Sequence, residues 1–162
     1  MISKEKLDTM KRLKEEFDEL REEPITELGC TVGLKNPNDI FHWKISLTGA
    51  KDTPYAGGIF ILDVDFPDNY PQAAPMIKFV TKIYHLNITE DGKICTPFFD
   101  KWNPNTNMKQ VIGSLFMLFY TQDTKNTIAG DKALLYDGDR EKFVNNVKDY
   151  IKKYASIKNV QQ

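Results

Sequence analysis

The sequence predicts a domain of the α+β class, in which a four-stranded antiparallel sheet is flanked by helices that precede and follow it in the chain. Apolar residues recur at steps of three and four near both ends of the chain, as they do on one face of an amphipathic helix. Between these regions, apolar residues fall on alternate positions in successive short runs, which indicates half-buried strands. The 162 residues are enough for one domain with a sizeable core. We therefore expect residues 1–162 to form a single domain, with residues 1–8 as a short N-terminal extension.

The first helix is predicted over residues 4–23. Its apolar face consists of Leu7, Met10, Leu13, Phe17 and Leu20. Charged residues occupy many of the other positions, as expected for a helix that packs one face against a core. Pro24 cannot continue a helix and should end this one.

Three strands of alternating character are predicted next, over residues 26–34, 41–47 and 60–66. Short turn-forming segments separate them, so consecutive strands should pair in antiparallel fashion as a meander. Residues 76–80 are short, apolar and β-like, and they complete a sheet of four strands. Cys30 alternates in register with its apolar neighbours, so we expect it to be a core residue.

Residues 83–107 show no regular period, although they contain several aromatic residues and Cys95. A long irregular segment in a compact domain is usually functional or disordered, and this one is too aromatic for disorder. The residues that follow are apolar on nearly all sides of a helix, which predicts a central helix buried against the sheet. Two C-terminal helices are expected after it, a short one around residues 132–136 and an amphipathic one that is capped by Asp139 and ends near Tyr154.

Composition and charge exclude several classes of function. The 22 basic residues nearly balance the 23 acidic ones, so the basic field typical of a nucleic-acid-binding protein is missing. Two cysteines and two histidines without a CxxC pair do not form a spaced zinc set, so no metal is expected. Residues 2–6 lack the apolar core of a secretory signal, and the longest apolar run, residues 111–120, is too short to span a bilayer. We therefore expect a soluble protein of the cytoplasm, the nucleus or both, with reduced thiols and no membrane partner.

The irregular segment holds the candidates for chemistry. Cys95 follows a polar turn and belongs to no apolar face, so it is compatible with a reactive thiol and equally with a cysteine that anchors the loop. His85 is compatible with a base for that thiol, or with a histidine whose ring nitrogens bind backbone groups. Asn87 is compatible with a donor to a developing oxyanion, or with support of the backbone.

A series of short motifs in a fixed order resembles a known family. The motifs are Lys11-Arg12; Phe41-His42-Trp43; Thr53-Pro54-Tyr55 with Gly57-Gly58 and Phe60; Phe66-Pro67 with Tyr70-Pro71 and Pro75; Ile83-Tyr84-His85 with Asn87-Ile88; Gly92 with Ile94-Cys95; Trp102 with Pro104; and Asp139-Arg140-Glu141-Lys142-Phe143. Together with the eight-residue step from Asn87 to Cys95, they resemble the ubiquitin-conjugating enzymes over almost the whole chain. The resemblance implies an N-terminal helix, a four-stranded antiparallel meander, an irregular active-site segment, a central buried helix and two C-terminal helices.

The resemblance also implies a reaction. Cys95 would accept the C-terminal glycine of ubiquitin, or of a ubiquitin-like protein, from an activating enzyme as a thioester, and pass it to lysines of protein substrates, usually with a ubiquitin ligase. Asn87 would stabilise the oxyanion or support the loop, and His85 would be structural. Asn126 and, as the acidic alternative, Asp123 would lie on the loop beside the incoming lysine. No cofactor is implied, because ATP is used by the activating enzyme and is not bound here.

Six residues match positions at which the family binds its partners. They are Lys11 and Arg12 in the first helix, Pro71 and Gln72 in one loop, and Pro104 and Asn105 in a second loop. The helix positions contact the activating enzyme and ligases in the family, and the two loops contact ligases. The resemblance also leads us to expect a cis peptide bond between Tyr70 and Pro71.

The chain departs from the family pattern close to the candidate nucleophile. Leu86 stands where the family has proline, and Thr96-Pro97 stands where it usually has Leu-Asp. Gln72 replaces an aromatic residue that many members use to dock ligases. The identity of the ligase therefore does not follow from the resemblance.

Two other classes of function are weighed against conjugation. Inactive relatives that serve as non-catalytic interaction modules lack the cysteine that is present here as Cys95. An unrelated thiol hydrolase needs a paired histidine, whereas His85 matches a position that the family uses structurally. A ubiquitin-conjugating enzyme is the favoured interpretation, with conjugation of a ubiquitin-like modifier as its nearest alternative.

Overall fold

The structure of the protein is a computed structural model that describes residues 1–125, 127 and 130–160. In chain order the elements are α1 (Lys4–Glu22), a 3₁₀ turn (Thr26–Leu28), β1 (Cys30–Leu34), β2 (His42–Thr48), β3 (Ile59–Asp65), β4 (Met76–Phe79), α2 (Pro97–Asp100), α3 (Met108–Met117), α4 (Gly130–Gly138), α5 (Arg140–Tyr154) and α6 (Ile157–Val160). The predicted α+β class and the predicted order of the main elements are confirmed.

The four strands form one antiparallel sheet in the order β1-β2-β3-β4, which confirms the meander. Ile45 at the centre of β2 pairs with Val32 on one side and with Leu62 on the other. All three side chains are buried, because alternate residues of each strand point to the same face of the sheet. This face of the sheet forms one side of the hydrophobic core. The core also contains Cys30, as predicted.

The central helix α3 packs into the same core. Asn107 caps its first turn, and its side chain and that of Gln110 form a reciprocal capping box. The side chains of Met108, Val111, Ile112 and Leu115 are fully buried. The prediction of a central buried helix is confirmed, and the C-terminal end of this helix lies beside the candidate nucleophile, as described below.

The first strand is shorter than predicted. Residues Thr26–Leu28 form a 3₁₀ turn, and the strand begins only at Cys30. Gly29 ends the turn with φ = 53°, in the left-handed region that favours glycine, and its N–H donates to the carbonyl of Thr26. Thr26 and Leu28 therefore lie in a tight turn. Their alternation with Cys30 continued the pattern of the strand, so the pattern alone did not show where the strand begins.

Two four-residue helices, α2 and α6, were not predicted, because four residues show too little periodicity to be recognised. The last long helix, α5, follows the prediction closely. The carboxylate of Asp139 accepts a hydrogen bond from the N–H of Lys142, and the helix ends at Tyr154. None of the helices in the described part of the chain is long and apolar enough to cross a membrane.

A buried carboxylate joins α1 to α3. Glu16 is only 9% exposed, and its Oε1 accepts a 2.7 Å hydrogen bond from the N–H of Met108 in the first turn of α3. Its Oε2 accepts hydrogen bonds from the hydroxyl of Tyr70 at 2.8 Å and from Nε of Arg12 at 3.1 Å. A carboxylate at a helix N-terminus is also favoured by the helix dipole. Glu16 therefore fixes α1 against both the central helix and the loop that contains Tyr70.

We expect Glu16→Ala to destabilise the protein, because it leaves the buried N–H of Met108 and the hydroxyl of Tyr70 without their acceptor. Each lost acceptor costs about 1–3 kcal/mol of unfolding free energy. Glu15→Ala, at the neighbouring exposed position of the same helix, is the matched control. Urea denaturation followed by circular dichroism measures both variants, and equal midpoints for the two would contradict this assignment of Glu16.

Candidate active site

Cys95 lies where the irregular segment approaches the end of α3. Its thiol is free and partly exposed, and its N–H donates a 2.8 Å hydrogen bond to the carbonyl of Asn87. The residue opens onto a cavity of about 180 Å³. The cavity is lined by Asn87, Cys95, Thr96, Pro97, Phe98, Ser114, Met117, Leu118, Thr121 and Asp123. Cys95, Asn87 and Asp123, which are predicted to act together, therefore share one cavity.

A tight turn before Cys95 sets its position. Gly92 has φ = 89°, and its carbonyl accepts a 3.0 Å hydrogen bond from the N–H of Phe79 in β4. A Cβ atom at residue 92 would lie 2.0 Å from the carbonyl oxygen of Phe79, so only glycine fits there. Ile88 and Ile94 form an isolated antiparallel bridge on the two arms of the turn. The sheet edge thus holds the segment that presents the thiol.

His85 is fully buried and uses both ring nitrogens within the protein. Its Nδ1 accepts a hydrogen bond from the N–H of Asn87 at 2.9 Å, so its Nε2 carries the proton and donates to the carbonyl of Leu118 at 2.7 Å. Burial lowers the pKa of His85 to about 4, so the ring is neutral at neutral pH. A ring bonded in this way supports the loop and offers no free nitrogen to accept the proton of Cys95.

Asn87 connects the cysteine segment to the loop after α3. Its side chain is 1% exposed, and its Nδ2 donates to the carbonyl of Asp123 at 2.9 Å. Its Oδ1 accepts from the N–H of Asp123 at the same distance, so the two residues form a reciprocal pair. Its backbone carbonyl accepts from the N–H of Cys95. A single residue therefore sets the spacing between the thiol and the facing loop.

Leu86 departs from the family's proline, and the structure shows what compensates for it. Leucine brings an N–H that proline lacks, and this N–H donates to Oε1 of Gln122 at 2.9 Å. The Nε2 of Gln122 donates in turn to the hydroxyl of Tyr55 at 2.7 Å, and that hydroxyl donates to the carbonyl of Tyr84 at 2.6 Å. Gln122 was not singled out from the sequence, because its partner is 36 residues away and no local pattern connects them.

Of the two candidates for assisting the substrate lysine, Asp123 and Asn126, the structure describes only Asp123. Asp123 is partly exposed at the cavity, and its carboxylate accepts a hydrogen bond from the N–H of Lys125 at 2.9 Å. Asn126 lies outside the described residues. Asp123 is therefore the acidic residue among the described residues that line the cavity with Cys95.

The candidate partner-binding residues lie together, away from this cavity. Arg12 is bound to Glu16 and also donates to the carbonyl of Thr106 at 3.5 Å, whereas Lys11 is exposed. The indole N–H of Trp102 donates to the carbonyl of Pro71 at 2.8 Å and joins the two predicted loops. The peptide bond between Tyr70 and Pro71 is cis, as predicted. Gln72, Pro104 and Asn105 are exposed on these loops.

Thr96, beside the cysteine, carries a buried hydroxyl without a partner. Its Oγ1 is the one buried side-chain polar atom that lacks a hydrogen bond among the residues the structure describes. We expect Thr96→Val, which keeps the shape of the side chain, to raise the unfolding free energy by about 1 kcal/mol, because it removes an unpaired polar group. Chemical denaturation measures this change, with Thr31→Val at an exposed strand position as the control. A loss of stability specific to Thr96→Val would show that the hydroxyl has a partner.

In a comparison with models of known protein families, residues 12–151 match the family described as ubiquitin-conjugating enzyme. The matched region begins within α1, ends within α5 and includes the whole sheet and the cavity at Cys95. It also agrees with the observed arrangement of an N-terminal helix, a four-stranded antiparallel sheet and C-terminal helices. The chain belongs to the ubiquitin-conjugating enzyme family.

Proposed function

We propose that the protein accepts ubiquitin from an activating enzyme as a thioester on Cys95 and passes it to substrate lysines, usually with a ubiquitin ligase. One observation carries the proposal: a free, partly exposed thiol opens onto a cavity that Asn87 and Asp123 also line. The neutral His85, bonded at both nitrogens, speaks against a cysteine–histidine hydrolase. The proposal includes action in the cytoplasm, the nucleus or both, without a bound cofactor.

The loading step exchanges one thioester for another. The thiolate of Cys95 attacks the acyl carbon at the C-terminus of the modifier, the new C–S bond forms, and the thiol of the activating enzyme leaves as its thiolate. Because the two bonds are of the same kind, the step needs positioning more than strong acid or base catalysis. A partly exposed cysteine on a loop held by the sheet edge suits this requirement.

The transfer step forms an amide. An uncharged lysine amine attacks the thioester carbonyl, the C–N bond forms, the C–S bond breaks, and Cys95 leaves as a thiolate. Negative charge develops on the carbonyl oxygen, and Asn87 stabilises it directly or by keeping the donors of the cavity in place. The carboxylate of Asp123 accepts the proton that the amine loses, or directs it to solvent.

Partner binding is proposed at the surface formed by α1 and the two joined loops. The pairing of Pro71 with Trp102 and the contact of Arg12 with Thr106 make this surface continuous. Exposed Lys11 adds a positive charge, which favours acidic partners. We propose that the activating enzyme and ligases bind here, leaving the cavity at Cys95 open to the substrate.

The cargo is tested by incubating the protein with ATP and a panel of modifiers, each with its own activating enzyme. We expect an adduct with ubiquitin that resists denaturation and is released by a thiol. If another modifier forms the adduct and ubiquitin does not, that modifier is the cargo, and the proposal of ubiquitin is wrong. No adduct with any of them, together with hydrolysis of a ubiquitin C-terminal ester, would overturn the proposal in favour of a hydrolase.

A further inference from the structure

A buried lysine lies behind the active-site loop. Lys132, on α4, has a side chain that is only 9% exposed. Its Nζ is 3.4 Å from the carbonyl oxygen of His85, 3.3 Å from that of Ile88 and 3.6 Å from Oε1 of Glu90. The ammonium donates hydrogen bonds to the two carbonyl oxygens, and the Glu90 carboxylate lies at ion-pair distance. Burying a lysine is costly unless its charge is compensated, which indicates that this arrangement is specific.

The two carbonyls bound by Lys132 bracket Asn87. The carbonyl of Asn87 accepts the N–H of Cys95, and its side chain holds the facing loop. His85 and Ile88 also form an isolated antiparallel bridge, so the backbone between them is a tight turn. Fixing both ends of this turn fixes the direction in which Asn87 projects. Lys132 does not line the cavity itself, so any effect that it has on the site must pass through this backbone.

The surroundings of the ammonium keep it in this position. Tyr84 places its ring 5.1 Å from Nζ, a distance at which a cation is attracted to the ring face. The hydroxyl of Tyr150 on α5 donates to Oε1 of Glu90 at 2.9 Å and so holds the counter-charge. Burial lowers the pKa of Lys132, and Glu90 opposes this shift. Hydrogen bonds from an ionised donor are about twice as strong as neutral ones.

We propose that Lys132 is a positioning residue of the conjugation reaction, which clamps the backbone on both sides of Asn87 and thereby sets the geometry of the loaded site. The proposal rests on the proposed function of Cys95 as the modifier carrier. Lys132 neither lines the cavity nor belongs to the proposed partner-binding surface, so the proposal gives α4 a part in the transfer step. Discharge to free lysine should depend on the clamp more than loading does, because in discharge this protein alone must position the thioester carbonyl, whereas in loading the activating enzyme also holds it.

The test compares neutral and charged replacements of Lys132. Lys132→Met and Lys132→Leu keep an apolar stem and remove the donors, whereas Lys132→Arg keeps the charge and donors. Lys148→Met, at an exposed position of α5, is the matched control. Single-turnover assays measure loading by the activating enzyme and discharge to free lysine separately. Hydrogen exchange of the Cys95 and Asp123 amides is measured on the unloaded protein.

We expect both neutral variants to load at close to the wild-type rate but to discharge about tenfold more slowly, because small misplacements of catalytic groups have large effects on rate. Lys132→Arg should recover most of the discharge rate, and the control should behave as wild type. The Cys95 and Asp123 amides should exchange faster in the neutral variants, since their partners on Asn87 are less well held.

Equal discharge rates for wild type and the neutral variants would overturn the proposal. The proposal would also fail if the rates of loading and discharge fell together, in proportion to the fraction of folded protein. If one neutral variant fails to fold, the other decides the outcome. The exchange measurement separates this inference from the function it rests on. If wild-type protein accepts no modifier, the proposed function fails, and unchanged amide exchange in the neutral variants would independently refute the clamp.

Discussion

Cys95→Ala is expected to abolish the thioester adduct completely, because no other described thiol is accessible to a partner. Cys95→Ser should give, at most, an adduct that survives thiol treatment, since an oxygen ester is not cleaved by thiol exchange. Both results follow from the need for a thiolate in the loading step. Non-reducing and reducing gel electrophoresis of the same reaction measures them side by side.

Cys30→Ala is the matched control for this experiment. Cys30 is 6% exposed in the core, and burial raises the pKa of its thiol to about 11, so it is neither accessible nor ionised at neutral pH. This variant should still load, with some loss of stability from the small cavity it leaves. Loading that persists in Cys95→Ala and disappears in Cys30→Ala would exchange the roles of the two cysteines.

Asn87→Ala is expected to slow discharge of the loaded protein to free lysine by about a hundredfold or more, the usual effect of removing an oxyanion donor. The same change removes both hydrogen bonds to the backbone of Asp123. Asn87→Asp keeps an acceptor for the N–H of Asp123 but has no donor for its carbonyl or for an oxyanion. Single-turnover discharge of thioester loaded beforehand measures the transfer step alone.

The control for Asn87 is Asn145→Ala, at an exposed position of α5. It should discharge at the wild-type rate. Thermal unfolding of the Asn87 variants distinguishes the two roles proposed for the amide. Slower discharge together with a large drop in stability would indicate that Asn87 acts by holding the loop. Slower discharge without such a drop would indicate that it donates to the oxyanion. Wild-type discharge by Asn87→Ala would contradict both roles.

The sheet and the long helices were predictable because their burial follows a regular period. The residues of β2 and β3 alternate between the core and the other face, so a period of two was visible in the sequence. The same logic separated the two cysteines, because Cys30 lies on a periodic apolar face and Cys95 does not. The family resemblance then assigned a role to Cys95 that periodicity alone left open.

The contacts that hold the site were not predictable in the same way. Leu86 and Gln122, which share a hydrogen bond, are 36 positions apart in the sequence. Lys132 and His85, which share another, are 47 positions apart. A lysine in a short helix is usually solvated, so nothing local indicated that this one is buried. Irregular segments are stabilised by such individual long-range hydrogen bonds, which leave no repeating signal in the sequence.

The site of modifier attachment can be measured directly. Wild-type protein is loaded with ubiquitin, isolated without reducing agent, digested and mapped by tandem mass spectrometry. We expect the ubiquitin C-terminus on the peptide that contains Cys95, and its loss after treatment with thiol. Attachment to Cys30 or to a lysine, with Cys95 unmodified, would contradict a thioester-carrying role for Cys95.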